Sequence, residues 1–272
     1  MYTLPRFAQG DGVMQKTRIL FGTYNHIPEG SSESDFESAY QICWRPFLSV
    51  LYRFPEISAM IHYSGTVLQW LEIRHPEFLM LLDEMSQRKQ IEILGGAFFA
   101  PLLPVIPSSD RLGQTEMLTT FLRKSFNKKP HGFWLQDYAW ESSLPSVLRT
   151  CGFDYSFLTE KHFRDAGIAR SALGSPVLTE DQGRSVSIFP VYDASDSLPS
   201  LMPPESAIDW ILKEVGDLPL ISLMYDGTLA SELWRLSGLE SPDVFFERSF
   251  AAVQRNALVY ETTLPGRYFK TI

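Results

Sequence analysis

Hydrophobic and polar positions along the chain follow two alternating rhythms. Short, predominantly apolar runs recur at Thr17–Tyr24, Ile57–His62, Ile91–Leu94, Gly132–Leu135, Tyr155–Leu158, Val186–Phe189 and Leu218–Tyr225. Their lengths and their flanking turn formers read as strands buried on both faces. Between them, apolar positions fall at helical spacing. Phe36, Ala39, Tyr40, Cys43, Phe47, Leu48 and Leu51 mark one long helix from about Ser34 to Phe54. Two shorter stretches, Val67–Arg74 and Glu77–Arg88, divide where Pro76 begins the second. Ser109 is expected to cap a helix from Asp110 to Phe126, and further helices are expected at Leu144–Cys151, Ser206–Val215 and Asp243–Asn256. Strands alternating with helices imply a parallel α/β sheet, either closed into a barrel or open and doubly wound. Residues 164–205, rich in Ser, Asp and Pro, fit neither rhythm and are expected to form a long excursion over one face.

Composition narrows the function classes. A chain of 272 residues can bury one sizeable core, and its 44% hydrophobic and 21% charged content is that of an ordinary globular protein. The net charge of −8 argues against nucleic acid as a partner, since phosphate neutralisation needs clustered Lys and Arg. The basic pairs Arg123-Lys124 and Lys128-Lys129 are expected to be solvated helix ends. Cys43 and Cys151 build neither a disulfide framework nor a zinc spacing, and with no HxxxH or HExxH pair, neither a metal nor another cofactor is expected. Residues 1–16 lack the apolar stretch of a secretory leader, and no run approaches the roughly 20 apolar residues of a membrane span. No membrane partner and a cytoplasmic location are therefore expected. The six Trp suit a cleft that binds sugars on flat apolar faces, although cores use aromatics too.

In parallel α/β folds, chemistry gathers at the carboxyl ends of the strands. That rule selects Asn25 and His26, His62, Gly95–Ala100, Asp137, Glu160 and His162, and Asp226. Each aspartate taken singly reads as a helix cap or a loop anion, and His26 as a hydrogen-bonded loop histidine. His62, His75 and His131 read as structural or exposed. Asp137 and Asp226 together form a carboxylate pair of the kind that cleaves glycosides, one attacking the anomeric carbon and the other protonating the leaving oxygen.

Ordered local segments then carry a resemblance. They include Trp44-Arg45-Pro46-Phe47-Leu48, His62-Tyr63-Ser64-Gly65, Leu68-Gln69-Trp70-Leu71, His75-Pro76-Glu77-Phe78-Leu79, Ile91-Glu92-Ile93-Leu94-Gly95-Gly96, Leu103-Pro104-Val105-Ile106-Pro107-Ser108 and Gly132-Phe133-Trp134-Leu135. From about Lys16 to its end, the chain resembles the α-amylases and 4-α-glucanotransferases of glycoside hydrolase family 57. The resemblance implies an incomplete (β/α)7 TIM-like barrel with parallel strands, action on α-1,4-glucans or maltooligosaccharides, and a retaining mechanism with a Glu nucleophile and an Asp acid/base. It further implies an N-terminal tail at 1–16 and a catalytic barrel domain at 17–272, with the last barrel motif and the accessory domains missing. The barrel's C-terminal edge would then offer a docking edge for a protein partner.

Carried over position by position, His26-Ile27-Pro28 keeps the family's histidine near the reacting sugar. Gly95-Gly96-Ala97-Phe98-Phe99-Ala100-Pro101 has Ala100 where the family has a substrate-facing Glu. Trp134-Leu135-Gln136-Asp137 places Asp137 at the Glu nucleophile, with Trp140 and Glu141 following in register. Asp226-Gly227-Thr228-Leu229-Ala230 keeps the acid/base as Asp226 but has Thr228 in place of a Glu. Leu198-Pro199-Ser200-Leu201-Met202-Pro203 matches a segment that carries an Arg in the glucanotransferases. Sugar contacts are expected from His26, Trp134, Trp140 and His162. Three functions compete: a weakened retaining hydrolase or transferase, a catalytically inactive glucan-binding or regulatory homologue, and, lastly, a polysaccharide deacetylase, whose metal-binding pattern is missing.

Overall fold

The computed structural model describes residues 16–192, 203–215, 218–228 and 230–272. Seven parallel strands carry the fold: β1 (Thr17–Asn25), β2 (Ala59–Tyr63), β3 (Ile91–Ile93), β4 (Gly132–Phe133), β5 (Tyr155–Thr159), β7 (Arg184–Val191) and β8 (Leu220–Asp226). Two more were not legible as strands, β6 (Val177–Asp181) and β9 (Tyr260–Thr262). One sheet runs β3-β2-β1-β8, and β9 pairs with the first residues of β1 on the side that β2 takes further along. The other runs β4-β5-β7-β6. Single parallel bridges, Gly95 with Phe133 and Tyr192 with Leu223, join the two sheets at both edges. The strands thus form a ring with two thin joins, the incomplete barrel that was expected.

Strand periodicity sorts the side chains. Successive residues point to opposite faces, so Leu20 and Tyr24, Met60, Leu94, Tyr155 and Phe157, Phe189 and Val191, and Leu220 and Met224 meet in one interior cluster. The alternate positions face the surrounding helices. Ile61 and Tyr63 pack under α2 (Arg45–Tyr52), α3 (Gly65–Arg74) and α4 (Pro76–Gln87). Ile19, Ile221 and Leu223 pack under α8 (Pro204–Val215). With both faces buried, these strands need continuous apolar runs, which is why they were legible.

The long helix expected over 34–54 is a composite: α1 (Glu33–Ala39), a π turn at Tyr40–Trp44, then α2. The Arg45 N–H reaches the Tyr40 carbonyl. Pro46 has no N–H to give Ile42 and its ring would crowd that carbonyl, and the wider turn just before it relieves both. Ser109 does not cap its helix, which is a correction. α5 (Ser108–Phe126) starts two residues earlier, the Pro107 carbonyl accepts from the Asp110 and Arg111 amides, and Ser109 Oγ bonds Asp110 instead. Part of the expected excursion at 164–205 is the β6–β7 hairpin, turned at Gln182-Gly183 with positive φ at both residues. Residues 193–202, with most of the Leu198–Pro203 match, lie outside the described residues, as do the N-terminal tail through residue 15 and Leu229.

The amino end of the ring is closed by α11 (Pro265–Phe269). Tyr268 enters the interior cluster, and the Gly266 amide donates to Glu92 Oε2 at 2.9 Å. Among the described residues, no helix is long and apolar enough to cross a membrane.

Candidate functional site at the carboxyl ends of the strands

The inward parity of each strand delivers its last residues to one end of the ring. On β8 the sequence Leu220, Ser222, Met224, Asp226 shares one face, and on β2 Met60 is followed by His62. Asp226 is half-buried, and its Oδ1 accepts from the Thr228 amide at 2.8 Å and the Thr228 hydroxyl at 2.7 Å. The position that departs from the family's Glu therefore holds the carboxylate in an Asx-type turn. Asp-x-Thr is a pattern that could have signalled this from sequence. Gly227 is required here because a Cβ would come within 1.8 Å of Asn25 Oδ1. Asn25 is itself committed, donating to the His62 carbonyl at 2.8 Å and so tying β1 to β2.

Asp137 arrives on a short 3₁₀ turn, Gln136–Tyr138, directly after β4. Asp137 and Tyr138 have φ of 52° and 53°, and Ala100, in the loop after the neighbouring strand β3, has 49°. Left-handed non-glycine residues cost on the order of 1 kcal/mol or more each, and such strain gathers at functional sites. Asp137 is exposed, and Gln136 Nε2 donates to its Oδ1 at 3.0 Å. Gln136 was not singled out from sequence, because only the fold shows which way its amide turns.

His26 connects the two aspartates electrostatically. Burial pushes its imidazole below the ordinary histidine value, while the negative charges of Asp137 and Asp226 both pull it upward. A histidine that feels both carboxylates places the three groups around one space. Its Nδ1 is buried with no hydrogen-bond partner among the described residues. Beneath it, His62 is fully buried and held at a pKa of about 4, chiefly by desolvation. His62 Nδ1 lies 3.4 Å from the Leu94 carbonyl, and a Cβ on Gly96 would come within 2.5 Å of its ring. Gly96 is thus the clearance for a neutral histidine, while Gly95 makes room for the Phe153 ring.

The remaining expected contacts divide. Trp134 is only 2% exposed, stacked on Tyr24 at 4.5 Å, edge-on to Tyr138 at 4.9 Å, and 6.4 Å from His62. It lies in the floor of the site, stacked between these rings. Trp140 is half-buried against the cluster of Leu135, Leu144 and Phe163. His162 is half-buried, with Nδ1 2.9 Å from Thr159 Oγ1 and its ring hydrogen-bonded to the Tyr138 backbone. Burial, then the charge of Lys161, lowers its pKa. His162 therefore braces the turn that carries Asp137. Glu141 is paired with Arg111, whose other nitrogens reach the Ile106 and Pro104 carbonyls at 2.9 and 3.0 Å and so pin the proline-rich loop. No cluster of three metal-ligating side chains occurs among the described residues.

Residues 15–270 match the sequence profile of "Glycosyl hydrolase family 57". The 4-alpha-glucanotransferase of Thermococcus litoralis is 35% identical over 207 residues, which cover 76% of this chain and 31% of that protein. The alpha-amylase of Pyrococcus furiosus is 31% identical over 220 residues, covering 80% and 34%. The chain thus spans about a third of the length of the curated relatives it matches. The crystal structure of the Thermococcus litoralis 4-alpha-glucanotransferase superposes with a TM-score of 0.86 at 29% identity, covering 95% of this chain and 41% of that one. A putative polysaccharide deacetylase from Mycobacterium smegmatis, at 14% identity and a TM-score of 0.67, shares the fold alone. With the profile spanning nearly the whole chain and a relative 35% identical over 76% of it, the protein belongs to glycosyl hydrolase family 57.

Proposed function

We propose that the chain acts on α-1,4-glucans by a retaining hydrolysis or transfer, with Asp137 as the nucleophile and Asp226 as the acid/base. What supports this reading is that β1, β4 and β8 bring His26, Asp137 and Asp226 to the same end of the ring, near enough for both carboxylates to pull the histidine's pKa upward. In this scheme Asp137 attacks the anomeric carbon as Asp226 protonates the departing glycosidic oxygen, and Asp226 then deprotonates the water or sugar hydroxyl that resolves the glycosyl-enzyme. Thr228 fixes Oδ1 of Asp226, so Oδ2 is the oxygen that carries the exchanged proton. Neutral His26 hydrogen-bonds the reacting sugar, and Trp140 and His162 line its surroundings.

Turnover is reduced in this reading. An aspartate reaches roughly 1–1.5 Å less far than a glutamate, and a displacement of about 1 Å costs on the order of 100-fold in rate. Ala100 brings no polar group to the sugar. Those two positions favour a second reading, a glucan-binding homologue without turnover. Incubation with maltoheptaose separates the two. The first expects slow sugar release, abolished in Asp137→Ala and accelerated about 10- to 100-fold in Asp137→Glu. Saturable maltoheptaose binding with no release from either the native chain or the Glu variant would establish the second.

A further inference from the structure

The amino end of the ring, opposite the aspartates, holds a cavity of ≈ 680 Å³ between α5, the start of β3 and α11. Its volume falls within the range of small-molecule sites, about 300–1,000 Å³. Its floor is apolar: Ile91, Ile93, Leu122, Phe126, Leu264 and Phe269. Its rim is cationic: Lys89, Lys128, Lys129, Arg267 and Lys270.

Five cations around one cavity require a reason in a chain where Asp and Glu outnumber Lys and Arg by 32 to 24. Only two carboxylates line the same space, Glu92 and Asp154, and both are engaged. Glu92 accepts from the Tyr155 hydroxyl and the Gly266 amide, and Asp154 is held by Arg149 and His131. None of the five cations makes an ion pair among the described residues. Lys128 bonds the Ser86 carbonyl and hydroxyl at 2.7 and 3.0 Å, and Arg267 reaches the Lys89 carbonyl at 3.4 Å. All five are solvent-exposed, so water and salt screen them from one another, and together they leave the rim of this cavity positive.

We infer that this cavity binds a nucleoside phosphate, its phosphates on the lysine and arginine rim and its base against Ile93 and Phe269, the two floor residues that are only partly buried. A phosphoryl group carries about −1.5 to −2 charges and three acceptor oxygens, which suits several separate cations better than a single carboxylate does. The floor offers few hydrogen-bonding groups, so a hexose phosphate, with hydroxyls all round its ring, would leave more polar groups without partners than a flat base whose faces are apolar. The site lies at the end of the ring away from the sugar chemistry, and it does not depend on the reading of the aspartates.

Calorimetric titration of the full chain with ADP tests it, with adenosine, pyrophosphate and glucose 1-phosphate as comparators. ADP is expected to bind saturably, at least about tenfold more tightly than each comparator, and to raise the melting temperature. Lys89→Glu/Lys270→Glu is expected to lose at least about tenfold in ADP affinity while keeping its unliganded melting temperature. The single Lys270→Ala, which removes one exposed cation without adding a charge, is expected to lose a smaller part in the same direction. Absence of saturable ADP binding up to about 10 mM overturns the site. So does ADP affinity unchanged in both variants. Pyrophosphate binding as tightly as ADP overturns the base-binding floor, and tighter glucose 1-phosphate binding overturns the choice of nucleoside.

Discussion

At the residue scale, the candidate site depends on three groups that share one electrostatic environment. Burial keeps His26 neutral at neutral pH, and each aspartate opposes that by favouring the imidazolium. Removing either negative charge therefore lowers the histidine's pKa further. An NMR titration should show the His26 midpoint below the ordinary value, and lower again in both Asp137→Asn and Asp226→Asn. A midpoint that moves in only one variant would mean that only one aspartate faces the ring. Much of this group was legible without a structure, because strand ends and chain parity select Asp226 and the loop after β1 selects His26. The left-handed turn at Asp137 and Tyr138 was not legible, since neither residue type requires it. The burial of Trp134 was not legible either, because a motif names a side chain without saying which way it faces. Its interior parity with Leu94 and Tyr24 was the signal against a solvent-facing indole.

At the element scale, β2 carries a buried histidine into the end of the ring. His62 has a folded-state pKa of about 4 against an ordinary 6.5, because desolvation disfavours its charged form. The neutral ring contributes fully to stability above pH 6.5. As the pH falls from 6.5 to 4, the unfolded chain takes up a proton that the folded one refuses, and stability is lost. Denaturant unfolding of the native chain and of His62→Gln should show their difference shrinking with acidification by on the order of 1 kcal/mol per pH unit across that window. Parallel profiles would mean that the histidine is protonated in place. The helices and strands with continuous or periodic apolar faces were readable in sequence. β6 was not, because its alternating half-exposed pattern at a sheet edge lacks an apolar run. The π turn was hidden as well, since Tyr40–Trp44 continues the apolar stripe and only the hydrogen-bond register reveals the wider coil.

At the scale of the whole molecule, periodicity could not choose between an open sheet and a ring, because closure depends on β8 finding β1, two strands almost 200 residues apart in the chain. Once closed, the ring is unevenly knit. The β1–β8 ladder pairs seven residues, whereas each join rests on one bridge. The amides that span the joins, Gly95, Trp134 and Tyr192, should exchange their hydrogens faster than those of Leu20 and Phe21 in the ladder. Equal protection would show a continuous barrel. His26, His62 and Asp226 belong to one sheet and Asp137 with its bracing His162 to the other, so the two carboxylates ride on separate half-shells. The spacing between the two carboxylates is therefore set at the joins rather than within either sheet. A ligand that bridges the two sheets is expected to slow exchange at the joins before it slows exchange in the β1–β8 ladder, a difference that hydrogen exchange with and without maltoheptaose would read.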